Sequence, residues 1–133
     1  MLGLLLTSFA IVSLSAETWD QFIKRVETME YNFRSGLNKG NQNTWGTDKW
    51  GALLATSYWL ESAYEDIYKN APGLTQEQKQ IYQRLWNRHI TQSDDLVKLC
   101  KLTYSDYNSA ATINKRWEYW EDYLDNGGII TFN

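Results

Sequence analysis

Two stretches of this chain open on the same four-residue signal and continue with apolar residues at helical spacing, which commits most of the sequence to α-helix. Thr18-Trp19-Asp20-Gln21 and Thr75-Gln76-Glu77-Gln78 are capping boxes. In each, the Thr hydroxyl accepts from the third helical amide while the Gln side chain reaches back to the Thr amide. After the first box, Trp19, Phe22, Ile23, Val26, Met29, Phe33 and Leu37 recur at three- and four-residue steps, with Lys24, Glu27 and Arg34 on the outer side. That helix should end between Gly36 and Gly40. After the second box a helix can run to about Leu102, with Ile81, Tyr82, Leu85, Trp86, His89, Ile90, Leu96, Val97 and Cys100 inward and Thr91 to Asp94 as a candidate break.

Two further helices fill the gaps. From Trp50 to Asn70 apolar side chains fall on more than one face, the pattern of a central helix, with Thr47 or Asp48 as its cap. Pro72 and Gly73 end it, because the proline ring blocks helical continuation and glycine accepts a turn. Ser105 to Ser109 offers caps for a last helix with Ala110, Ala111, Ile113, Trp117, Trp120 and Leu124 inward, and Asn126-Gly127-Gly128 is a strong stop. Short links between such helices predict an all-α fold, an antiparallel bundle of about four helices. The segments behind the two capping boxes do not match side chain by side chain, so no internal duplication is read.

Residues 1–16 stand apart. They contain no charged side chain, and Glu17 and Asp20 then open the amphipathic part abruptly. An apolar run of roughly 12 to 15 residues is shorter than the roughly 17 to 25 of a membrane span but fits the core of a signal peptide. Ser13, Ser15 and Ala16 are small enough for a peptidase, whereas the missing Lys or Arg near Met1 and Leu14 three before a cut after Ala16 speak against cleavage there. The readings are an export signal, with the protein then periplasmic or secreted, or a retained apolar helix or short membrane anchor, with the protein membrane-associated or part of an assembly. The organisation is therefore 1–16 as this apolar segment, 17–128 as the helical domain, and 129–133 as a short β-prone tail that either packs back or hangs free.

The chain of 133 residues is long enough for one continuous core and too short to suggest a second domain. A single cysteine, Cys100, excludes an intrachain disulfide, so packing must hold the fold; on the apolar side of its helix it reads as a small buried hydrophobe. A formal charge of −3 with Lys and Arg scattered, each small cluster beside acids, argues against nucleic acid as a partner. Membrane contact is expected only through residues 1–16.

Catalytic signals are absent. The one histidine, His89, has Trp86 three residues before it, so the Glu-x-x-His of a bundle metal site is missing, and there are too few His and Cys for zinc. His89 and Cys100 are three helical turns apart, about 16 Å along an axis, too far for a Cys–His pair. Nucleophile-elbow and phosphate-loop motifs do not occur. No carboxylate pair is singled out by spacing, so the expectation is a non-enzymatic protein with no cofactor and no metal, and His89 as a partly buried interface residue.

What remains is a surface. Glu118, Glu121, Asp122 and Asp125 form one stripe near the C-terminal end of the last helix, where the helix dipole disfavours anions by roughly 0.3 to 1 kcal/mol each, while Lys115 and Arg116 sit at the earlier end. Tyr119 and Tyr123 flank the stripe, and Trp45, in the Gly- and Asn-bearing loop 38–46, is the aromatic expected to be exposed. Seven Trp and nine Tyr supply both core and contact surface, and such rings anchor protein interfaces and stack on sugars. Candidate partner-binding residues are therefore Glu118, Tyr119, Glu121, Asp122, Tyr123, Asp125 and Trp45. The expected function is non-catalytic binding of a protein partner, one with a basic surface suiting the stripe, in the manner of an inhibitor, immunity-type or phage accessory protein. The alternatives are a structural subunit of a virion or membrane complex and a glycan-binding or glycan-cleaving helical protein using exposed Trp.

Overall fold

The computed structural model describes residues 17–132. The signal-peptide and retained-helix readings of residues 1–16 lie outside the described residues. Within them the chain forms four α-helices: α1 (Trp19–Asn38), α2 (Thr47–Asn70), α3 (Gln76–Thr103) and α4 (Tyr107–Asp125), with a 3-10 turn, Gln42–Thr44, between the first two. The described residues contain no strand, and no helix among them is long and apolar enough to cross a membrane.

Local capping sets the starts. Both boxes close as expected: the hydroxyls of Thr18 and Thr75 accept from the amides of Gln21 and Gln78, and the two Gln side chains accept from the Thr amides at 2.9 and 2.8 Å. Asp106, inside the expected run, caps α4 by accepting from the Ser109 amide at 2.9 Å. The start of α2 differs, with Gly46 as its cap and no side-chain cap bond. Asp48 is left free to receive side chains from α4 instead.

The second helix is the hub. Residues 50–57 are buried without interruption, and α1, α3 and α4 each pack against α2 far more than against one another. This all-round burial explains why its apolar residues do not keep to one face. Trp50, Phe33, Met29, Leu53, Leu54 and Leu60 are the largest side chains sealed in the core. The close approach of α4 needs Gly51: a Cβ there would stand 2.6 Å from the Arg116 Cβ and 2.9 Å from the Trp117 nitrogen.

Several expectations are corrected. Helix α3 runs through Thr91 to Asp94 without a break, because Ser93 turns inward and its hydroxyl meets that of Ser57 at 2.8 Å. Its buried line is His89, Ser93, Leu96 and Cys100, which leaves Ile81 and Ile90 on the exposed flank rather than inside. Ala110 likewise faces out. The tail packs back: Ile130 and Phe132 are buried, the Asn32 amide donates to the Ile130 carbonyl at 2.8 Å, and Lys39 Nζ donates to the Phe132 carbonyl at 3.1 Å. Gly36 leaves the space that the Phe132 ring fills.

Trp45 is the largest correction, being 6% exposed instead of exposed. Its ring meets Trp50 edge-on at 4.9 Å, its Nε1 donates to the Lys39 carbonyl at 3.3 Å, and its own carbonyl accepts from the Tyr104 hydroxyl at 2.8 Å. A loop that looks polar in sequence is thus pinned to the core by its one aromatic, with a tyrosine more than fifty residues away supplying the bond.

Candidate functional site

The outer face of α4 is held by a few inward anchors. Ile113 and Leu124 are buried, Trp117 lies against Tyr58 at 5.1 Å, and Asp48 on α2 accepts from Arg116 Nε at 2.6 Å and from Trp120 Nε1 at 2.9 Å. Burial would raise the Asp48 carboxyl; those two bonds and the Arg116 charge outweigh it and hold it below the usual carboxylate range. With these contacts fixing the rotation of the helix, Glu118, Glu121, Asp122 and Asp125 all face solvent on one stripe.

Tyr119 and Tyr123 lie along one border of that stripe, 51% and 41% exposed. They are not loose. The Trp120 ring stands edge-on to both, at 5.0 Å from Tyr119 and 5.5 Å from Tyr123, and the Arg116 guanidinium sits 4.5 Å over Tyr119. Tyr123 also leans on Gly128, where any side chain would collide with its ring. Rigid aromatics with one open side lose little conformational freedom when a partner covers them.

The four carboxylates make no ion pair among the described residues. Partial burial and the charges of Asp125, Asp122 and Glu118 push the Glu121 carboxyl above its usual range. Asp125 is raised by partial burial and by Asp122, against the opposing charge of Arg25. Arg25 spends one guanidinium nitrogen on the Leu124 carbonyl at 3.0 Å, placing a cation at the negative end of α4. The stripe is therefore a surface of incompletely balanced negative charge. Of the residues named from sequence, the structure brings together Glu118, Tyr119, Glu121, Asp122, Tyr123 and Asp125, and removes Trp45 to the core beside Trp50.

A second polar constellation was not foreseen. Glu30 on α1 accepts from the Tyr64 hydroxyl and from His89 Nε2, each at 2.7 Å through the same oxygen, and its other oxygen accepts from Arg34 Nε at 2.8 Å. Burial alone would raise this carboxyl; the bonds from His89 and Tyr64 and the pull of His89 and Arg34 overcome it and hold it at about 2. A carboxylate so acidic carries no proton to donate, so Nε2 of His89 bears the hydrogen. Tyr64 is pushed strongly upward by burial and by the same carboxylate. His89 is 0% exposed, not partly buried, and its Nδ1 has no hydrogen-bond partner. The bonds join α1, α2 and α3 across 34 and 59 residues of sequence, so no spacing pattern could have shown them. The only available signal was an acid placed within an otherwise apolar helix interface.

Among the described residues no group of three or more His, Cys, Asp or Glu side chains is arranged to hold a metal ion. Of the seven Trp, three are buried and four half-buried. Comparison with known proteins finds no matching family model, no matching curated protein and no matching solved structure.

Proposed function

We propose that this protein is a non-catalytic helical binding protein that uses the outer face of α4 to dock a protein partner with a basic surface. The observation behind the reading is the pairing of two properties on one rigid face: carboxylates that form no ion pair among the described residues and tyrosines held half-open. Tyrosine presents an apolar ring and a hydroxyl together, which suits the centre of an interface, and the surrounding acids favour a cationic partner and speed its encounter. A cation brought to Glu121 and Asp125 relieves the repulsion that raises both carboxyls. An export signal in residues 1–16 would put this encounter in the periplasm or outside the cell.

The test is a crosslinking capture from the source cells, read by mass spectrometry, with wild type, a Glu121→Lys/Asp122→Lys variant and a Lys98→Glu control on α3. The expected result is a discrete basic partner, recovered by wild type and by the control, and reduced about a hundredfold by the α4 variant at unchanged helicity. Equal recovery by the α4 variant overturns the reading.

A further inference from the structure

A groove of about 450 Å³ runs between α1 and α3, away from the face of α4. Its volume falls in the roughly 300 to 1,000 Å³ range of small-ligand sites. The chemistry of its lining is graded along its length. In an up-down bundle α1 and α3 point the same way, and on both the polar residues come first: Arg34 and then Leu37 on α1, Arg88 and Gln92 and then Leu96 and Leu99 on α3. The positions on α3 lie about one helical turn apart, so the lining runs about 16 Å from Arg88 to Leu99 and turns aliphatic about 12 Å along, at Leu96. Trp45, from the loop, closes the aliphatic end.

The polar end has an unfilled valence. Arg34 gives Nε to Glu30 at 2.8 Å and Nη1 to Gln92 at 2.7 Å, while its Nη2 is buried and has no partner. A buried donor without an acceptor costs about 1 to 3 kcal/mol, which an acceptor oxygen delivered by a ligand would restore. Arg88 makes no ion pair among the described residues. The charge balance also limits the ligand. Glu30 neutralises Arg34 and Asp95 on the groove rim offsets Arg88, so the lining carries no net charge; that disfavours a phosphate dianion and limits an anionic ligand to a single charge held directly by the guanidinium donors.

We propose that this groove binds a single carboxylate carried on an unbranched apolar stem, a ligand of the medium-chain fatty-acid class. The carboxylate meets Arg34 Nη2 and Arg88, and the stem lies along Leu37, Leu96 and Leu99. This proposal is independent of the partner face on α4.

Calorimetric titration with decanoate below its micellar concentration tests it, with acetate and decanol as the head-only and stem-only probes, and with amide NMR shifts locating the contact. Saturable decanoate binding is expected, about tenfold tighter than either probe, with shifts at Arg34, Arg88 and Leu99. Arg88→Ala, an exposed residue without an ion pair, is expected to weaken decanoate about fivefold with the unfolding midpoint unchanged, and Leu99→Asp about tenfold or more. The proposal is overturned by the absence of saturable decanoate heat, by decanol binding as tightly as decanoate, by shifts confined to residues outside the groove, or by Arg88→Ala binding as wild type does. Because Arg88→Ala leaves the packing intact, the outcome stands even where Leu99→Asp fails to fold.

Discussion

Glu30 and Glu121 are the same residue type on helices of similar length, yet their surroundings do opposite things to them. Glu30 is gripped by Tyr64, His89 and Arg34, and its carboxyl is held at about 2 although burial works against ionisation. Glu121 has three acids on its own helix stripe, and burial and those neighbours push it up. One charge is satisfied internally and ties three helices together; the other makes no ion pair among the described residues. The contrast separates architecture from available surface better than charge counts do, since a charge already matched has little left to offer a partner.

Removing the gripped charge should have the largest effect. Glu30→Gln removes the charge and replaces one of the two acceptor oxygens with an NH2 that must face a donor, either Arg34 or the His89–Tyr64 pair, and is expected to cost about 3 kcal/mol in urea unfolding. A loss below about 1 kcal/mol would mean that the network is incidental to the fold.

Acid reads the same contrast without mutation. The folded Glu30 carboxyl lies at about 2 against an ordinary 4.5, so it binds its proton less readily in the native state than in the unfolded chain. Its contribution is complete above pH 4.5 and is lost as pH falls toward 2, by about 3 kcal/mol at roughly 1.36 kcal/mol per pH unit. Glu121 and Asp125 have the opposite sign: raised in the native state, they favour folding when protonated, and that help disappears as pH climbs through their folded values. Stability should therefore rise slightly on going from neutral pH toward the carboxylate range and then fall, and Glu30→Gln should remove most of the fall.

Gly51→Ala separates the two regions mechanically. The added Cβ meets Arg116 and the Trp117 backbone, so α4 must shift while the Glu30 network, on the other side of α2, stays in place. The expected cost is about 2 kcal/mol, with altered Tyr119 and Tyr123 signals and unchanged His89 signals in NMR.

The smallest effect is a gain. Glu121→Gln with Asp125→Asn removes like-charge repulsion and an unfavourable dipole contact, and should stabilise the chain by a few tenths of a kcal/mol, less so at high salt. Destabilisation instead would show that the stripe is part of the native network, like Glu30.

The legible part of this molecule is the part governed by neighbours in sequence. The Thr18 and Thr75 boxes, a cap within 105–109 and the stop at Asn126 and Gly127 were readable because each bond spans only a few residues. The same locality made the acidic stripe and its tyrosines visible, because residues three and four apart share a helix face and those on α4 stay outward. The Glu30, Tyr64 and His89 cluster was invisible because it needs three helices to converge, and periodicity says which face is buried but not which polar atoms will meet there.

The sequence by itself determined four helices, the starts of α1, α3 and α4, the stop of α4, and which face of α4 carries charge, since caps and helical periodicity act within a turn or two of the chain. Only the tertiary structure decided that Trp45 goes inward onto Trp50, that the tail returns to fill the gap over Gly36, and that Glu30 is neutralised while the four stripe acids of α4 form no ion pair among the described residues. Those outcomes depend on which surfaces lie opposite one another once α2 is enclosed, and the free energy of burying a ring or pairing a charge belongs to that encounter rather than to the residue.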